Sequence, residues 1–108
     1  MTSMPIADDT HQLVFLVQTQ LNEGKADALT ATLPAHLEFL KHQYAEGRLL
    51  FGGPLVTSDL HNTGNGVYAL RAETLEAATA LADADPLHRD GVRTAQVHHW
   101  MLKTDYSR

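Results

Sequence analysis

The sequence predicts an α+β fold: a four-stranded antiparallel sheet with two helices packed on one of its faces. Three observations predict it. The hydrophobic periodicity changes along the chain in the order β-α-β-β-α-β, the ferredoxin-like arrangement. The chain has 108 residues, enough for one domain with a single core and no second domain. The first strand is apolar on both faces, so both sides of the sheet are expected to be covered.

Residues 1–10 are polar, hold Pro5 and two acids, and read as a loose lead-in to a core spanning 12–102. Residues 12–18 (QLVFLVQ) have strand length and composition, with Leu13, Phe15 and Val17 on one face and Val14 and Leu16 on the other. A turn at 22–25 leads into a helix expected from Ala26 to Glu46. Within it Thr30 or Thr32 would cap a new turn, with Pro34 in its first-turn position. Leu33, Leu37, Leu40 and Tyr44 form its apolar stripe, and Gly47 is the C′ residue. Residues 48–52 (RLLFG) read as a strand ended by Gly53-Pro54, 57–66 as a polar loop, and 67–72 (VYALRA) as a third strand. Thr74 caps an alanine-rich helix whose Leu75, Ala78, Thr79 and Ala82 share a face, and Pro86 stops it. Residues 92–102 form the last strand and 103–108 a polar tail. No residues are left over for the second sheet face, so a second copy of the chain, joined sheet to sheet, is the expected cover.

Composition narrows the function classes. The chain has no cysteine, which excludes disulfides, thiolate ligands and cysteine nucleophiles and agrees with a reducing cytoplasm. Its formal net charge is −5 and its eight Lys and Arg are scattered, which disfavours nucleic acid as a partner. No apolar run approaches the about 20 residues of a membrane span, and the first residues lack the pattern of a signal peptide, so a cytoplasmic protein is expected.

Seven histidines in so short a chain raise the question of a site. His36 lies about 70° from the centre of the leucine stripe, at the edge of the core, where an imidazole can serve as acid or base. Asp85 sits at the carboxyl end of the second helix, an unfavourable place for a carboxylate, which calls for a compensating hydrogen bond or a functional use. Gly53, next to Gly52 and Pro54, allows close approach of backbone to a ligand and an N–H for an oxyanion. His88 and Arg89 follow Pro86, and an arginine there suits an anionic substrate. His98 and His99 are adjacent in a strand and point to opposite faces, while His42 and His61 read as surface residues. No metal-ligand spacing and no nucleophile elbow occurs, so neither a metal nor an organic cofactor is expected.

Taken together, Pro34-Ala35-His36-Leu37, Glu46-Gly47-Arg48-Leu49-Leu50, Gly53-Pro54, Leu75-Glu76-Ala77-Ala78, Ala82-Asp83-Ala84-Asp85-Pro86 and Gly91-Val92 resemble the YciI-like (YCII) family over residues 12–102. The resemblance implies a ferredoxin-like domain assembled as a dimeric α/β barrel, with a site centred on His36 and Asp85. One branch of that family is associated with dehydrochlorination of chlorinated hydroxyhydroquinones. The chain departs from the family in having Leu87 after the Asp-Pro pair, where an aromatic residue is usual, and Asn65-Gly66-Val67 entering the third strand. The expectation is a cofactor-independent lyase or isomerase acting on a small cyclic or aromatic-derived substrate. His36 would be the acid–base, and Asp85 either its orienting partner or, if protonated, a proton donor. A non-catalytic small-ligand-binding protein and a dimeric α/β barrel monooxygenase are the alternatives.

Overall fold

The computed structural model describes residues 8–108; the reading of residues 1–7 as lead-in without a signal peptide concerns residues outside those described. The elements are β1 (His11–Leu21), α1 (Ala26–Ala45), β2 (Leu49–Val56), β3 (Asn62–Leu70), α2 (Leu75–Ala84), α3 (Pro86–Arg89) and β4 (Arg93–Lys103). The sheet runs β2-β3-β1-β4, and each neighbouring pair is antiparallel. This is the expected ferredoxin-like fold with one short helix, α3, added after α2. Among the described residues no helix is long and apolar enough to cross a membrane.

Alternation along the strands sets which residues face the helices. Val17 pairs with Tyr68 and Phe15 with Leu70, and all four are buried on the helix side. Val17, Tyr68, Leu70 and Ala82 form one cluster, against which Leu40, Leu49, Ala95 and Val97 pack. Ala78 and Ala82 are fully buried, so their small side chains bring α2 close to the sheet. Thr74 caps α2 as its sequence implies, its Oγ1 accepting from the Ala77 N–H at 3.0 Å. A second cluster of Leu29, Leu87 and Val92 ties α1 and α3 to the start of β4.

Several expectations need correction. Helix α1 runs unbroken across Pro34, with no new cap at Thr30 or Thr32. Its exposed side tolerates a proline that removes one backbone hydrogen bond. The buried residues of α1 are Leu29, His36 and Gln43, spaced by two turns, whereas Leu37 and Tyr44 of the leucine stripe are 60% and 66% exposed. Strand β2 does not end at Gly53-Pro54 but continues to Val56, because an edge strand accommodates a proline. The supposed loop over 57–66 is shorter, since β3 already begins at Asn62. Its Asn and Gly residues hide the period-2 signal, but pairing needs only their backbone.

The sheet face away from the helices carries no second layer in the single chain, although Val14 and Ala69 on it are fully buried. A bulge between Leu49 and Phe51 puts Leu49 opposite Leu70 and Phe51 opposite Ala69, turning Phe51 to this face. There Phe51, 49% exposed, meets Trp100 edge to face at 6.0 Å.

Candidate functional site

The junction of α2 and α3 fixes a fully buried polar group, the Asp85 carboxylate. Pro86 holds Asp85 in extended geometry (φ −61°, ψ 125°), so α2 ends and a new helix starts on the spot. Asp85 thus caps the N-terminus of α3, and its Oδ1 accepts the Leu87 N–H at 3.0 Å. The unfavourable position inferred from α2 alone is offset by this cap. The Asp85 side chain is fully buried, and His36 on α1 is buried beside it.

His36 Nδ1 lies 2.9 Å from each carboxylate oxygen of Asp85. The Tyr68 hydroxyl donates to Oδ2 at 3.1 Å. Burial pushes the Asp85 carboxyl up, but the hydrogen bond and pull of His36, the Leu87 N–H and nearby His88 hold it below its ordinary value. An ionised carboxylate only accepts, so Nδ1 carries a proton, and in the neutral imidazole Nε2 is left with a lone pair. Burial, then the neighbouring Asp85 carboxylate, push the Tyr68 phenol well above its ordinary range, keeping it a neutral donor.

His36 and Tyr68 form part of the wall of a cleft of about 360 Å³ between α1 and the sheet. Leu33, Leu37, Leu40 and Leu49 supply its apolar side, so three residues of the leucine stripe border the cleft, Leu33 and Leu40 also packing on the core clusters. Thr19, Gly52, Gly53, Pro54 and Arg93 complete much of the rest. Gly52 is the residue whose lack of a side chain matters, because a Cβ there would stand 2.4 Å from the Tyr68 Cβ. At Gly53 a Cβ would meet nothing within 4 Å.

The structure therefore brings His36, Gly53 and Pro54 to the cleft wall with Asp85 directly behind His36; His88 lies against Asp85, its Nδ1 4.0 Å from Oδ2, without lining the cleft, and Arg89 stays apart. His88 stands behind Tyr68, stacked on its ring at 6.4 Å, outside the cleft. Its Nδ1–H donates to the Ala82 carbonyl at 2.7 Å and its Nε2 lies within hydrogen-bond distance of the Thr19 hydroxyl, at 2.8 Å. Arg89 is exposed and pairs with Asp90 at 3.0 Å, so it does not face the cleft either. Both lie on the short helix α3, whose single turn leaves no pattern in the sequence. His98 and His99 do point to opposite faces, His98 to Gln18 and His99 to Phe15.

The sequence presents Tyr68 and Arg93 only as strand residues. The available signal was their alternation with Leu70 and with Ala95 and Val97, which places a phenol and a guanidinium on the helix-covered face.

Residues 13–101 match the family model of the YCII-related domain. Protein YciI of Escherichia coli O6:H1 is 44% identical over 79 residues, covering 65% of this chain and 80% of the relative. Protein YjpA of Bacillus subtilis is 41% identical over 68 residues, covering 63% of this chain and 74% of the relative. Among solved structures, the 5-chloro-2-hydroxyhydroquinone dehydrochlorinase TftG from Burkholderia phenoliruptrix, in complex with 2,5-dihydroxybenzoquinone, is similar with a TM-score of 0.68 at 22% identity. That match covers 81% of this chain and 92% of TftG. An antibiotic biosynthesis monooxygenase is similar with a TM-score of 0.52 at 14% identity, over 82% of this chain and 96% of that one. At these identities the two structures share the fold.

Proposed function

The chain belongs to the YCII-related domain family, and on that footing we propose a cofactor-independent lyase or isomerase that moves protons on a small cyclic or aromatic-derived substrate. The observation that carries this reading is the 2.9 Å contact of His36 Nδ1 with the Asp85 carboxylate at the wall of a cleft. Asp85 orients the imidazole and stabilises the imidazolium that forms when Nε2 takes a proton. Of its two roles considered from the sequence, the lowered carboxyl value favours orientation over proton donation. Tyr68 holds the second oxygen of Asp85 and offers a phenol beside the substrate.

The likeness to TftG suggests the reaction class. Loss of HCl from a chlorinated hydroxyhydroquinone removes two O–H protons and returns one to the carbon that releases chloride, leaving a hydroxyquinone. Every step is a proton movement or the departure of chloride with the bonding electron pair. His36 is placed to take and return such a proton. The test is anaerobic incubation of the protein with 5-chloro-2-hydroxyhydroquinone and with a panel of hydroxyquinones and lactones, followed by chloride release and mass analysis. Turnover that disappears in His36→Ala supports the reading. Compounds that bind and are recovered unchanged overturn it in favour of a binding protein.

The bare sheet face fits a second copy of the chain. Phe51 and Trp100 expose apolar surface there, and the twofold packing of two such faces buries it. Light scattering is expected to give twice the chain mass of 11.9 kDa. The double variant Phe51→Lys/Trp100→Lys is expected to give the single mass, and an unmutated monomer contradicts the assembly.

A further inference from the structure

Among the described residues Arg93 is the one strongly charged side chain of the cleft wall that the proton-transfer scheme does not use. The residue is 5% exposed, and its Nε is buried with no hydrogen-bond partner. Among the described residues no carboxylate lies within ion-pair distance of it. Asp85, the nearby acid, has its oxygens taken by His36, Tyr68 and the Leu87 N–H. Arg93 therefore is not the counter-ion that Asp85 requires. Its guanidinium passes beside Gly66, where a Cβ would come within 3.7 Å of Nη1, and the residue lines the same cleft as His36.

A largely buried guanidinium whose Nε lacks a partner is costly, and its planar fork is matched by a planar, charge-delocalised oxyanion. In a chain of net charge −5, such a group supplies the local attraction an anion needs. We infer that Arg93 is the anion anchor of the cleft, and that the occupant is a ring compound bearing a carboxylate or an ionised enolic oxygen. The oxyanion completes the hydrogen bonding of Arg93 while the ring lies toward His36 and Tyr68. Arg93 takes the role that the sequence reading assigned to Arg89. This inference rests on the cleft being the substrate site proposed above.

The probes are 2,5-dihydroxybenzoate, its neutral isostere 2,5-dihydroxybenzamide, and 2,5-dihydroxybenzoquinone for the ionised enol. Titration calorimetry on the unmutated protein is expected to show the benzoate binding at least about tenfold tighter than the benzamide. Arg93→Gln removes this preference, Arg93→Lys retains part of it, and His36→Gln leaves it in place. Tight binding of 2,5-dihydroxybenzoquinone that is weakened in Arg93→Gln extends the anchor to ionised enols; binding unaffected by that substitution confines it to carboxylates. Equal affinity of benzoate and benzamide for the unmutated protein overturns the role of Arg93 and leaves the cleft reading standing. Failure of all three probes to bind overturns both. The matched pair decides the matter on the unmutated chain even if a variant fails to fold. As an independent readout, the benzoate raises the Tm of the unmutated protein and not that of Arg93→Gln; equal shifts in both overturn the inference.

Discussion

Asp85→Asn is expected to destabilise the protein by about 3 kcal/mol and to lower turnover by roughly 10²–10⁴-fold. The carboxylate accepts from three donors, His36 Nδ1–H, the Tyr68 hydroxyl and the Leu87 N–H, in a fully buried position. An amide has one acceptor oxygen, and its NH₂ is set against a donor where an oxygen stood, leaving buried groups unsatisfied. The imidazole then adapts by accepting at Nδ1, which moves its proton to Nε2 and removes the lone pair facing the substrate. Stability also acquires a different pH dependence. Because the folded Asp85 carboxyl is held below its ordinary value of 3.8, its contribution is present in full above that value and lost as pH falls through the lower folded one. Urea unfolding at neutral pH and at about pH 3 checks this, the gap between the unmutated protein and Asp85→Asn narrowing in acid. A gap that widens in acid contradicts the assignment of an ionised Asp85.

His36→Gln is expected to have an effect of the same order on chemistry and a smaller effect on stability. Glutamine can still donate an amide N–H toward Asp85, so the buried carboxylate keeps a partner, but it cannot take a proton. Loss of a positioned general base costs roughly 10²–10⁴-fold in kcat. KM is expected to change by no more than a few-fold, because the remaining cleft wall, Arg93 and Tyr68 included, is untouched. Steady-state kinetics on the unmutated protein and His36→Gln separate the two parameters. An unchanged kcat excludes His36 as the acid–base, and a raised KM at constant kcat makes it a binding residue.

Much of the fold was legible because it depends on patterns that single residues report well. The Thr74 cap and the alanine face of α2 behave as their sequences imply. The errors share a physical cause. Assigning the apolar stripe of α1 to the core assumes that every apolar residue is drawn inward. Here a cleft stands where that stripe meets the sheet, so Leu37 stays exposed and the polar His36 and Gln43 are buried. Gln43 tolerates burial because its Oε1 accepts from Arg48 Nε at 2.7 Å, a partner five residues away that no periodicity reveals. Asp85 looked misplaced because the one-turn helix α3 that it caps is too short to leave a hydrophobic pattern. Arg89 was preferred to Arg93 because it follows the Asp-Pro turn closely, whereas the burial of Arg93 follows from its register opposite Leu21 in β1.

The central claim is that Asp85 fixes the proton of His36 on Nδ1 so that Nε2 presents its lone pair to the occupant of the cleft. Nitrogen-15 NMR of the histidine-labelled protein, with His36→Gln to assign the signal, reads this tautomer directly. The expected result is a protonated Nδ1 and a bare Nε2 in the free protein, with the Nε2 resonance shifting on addition of 2,5-dihydroxybenzoquinone. A proton on Nε2 in the free protein, or an Nε2 resonance that ignores the bound ligand, contradicts it.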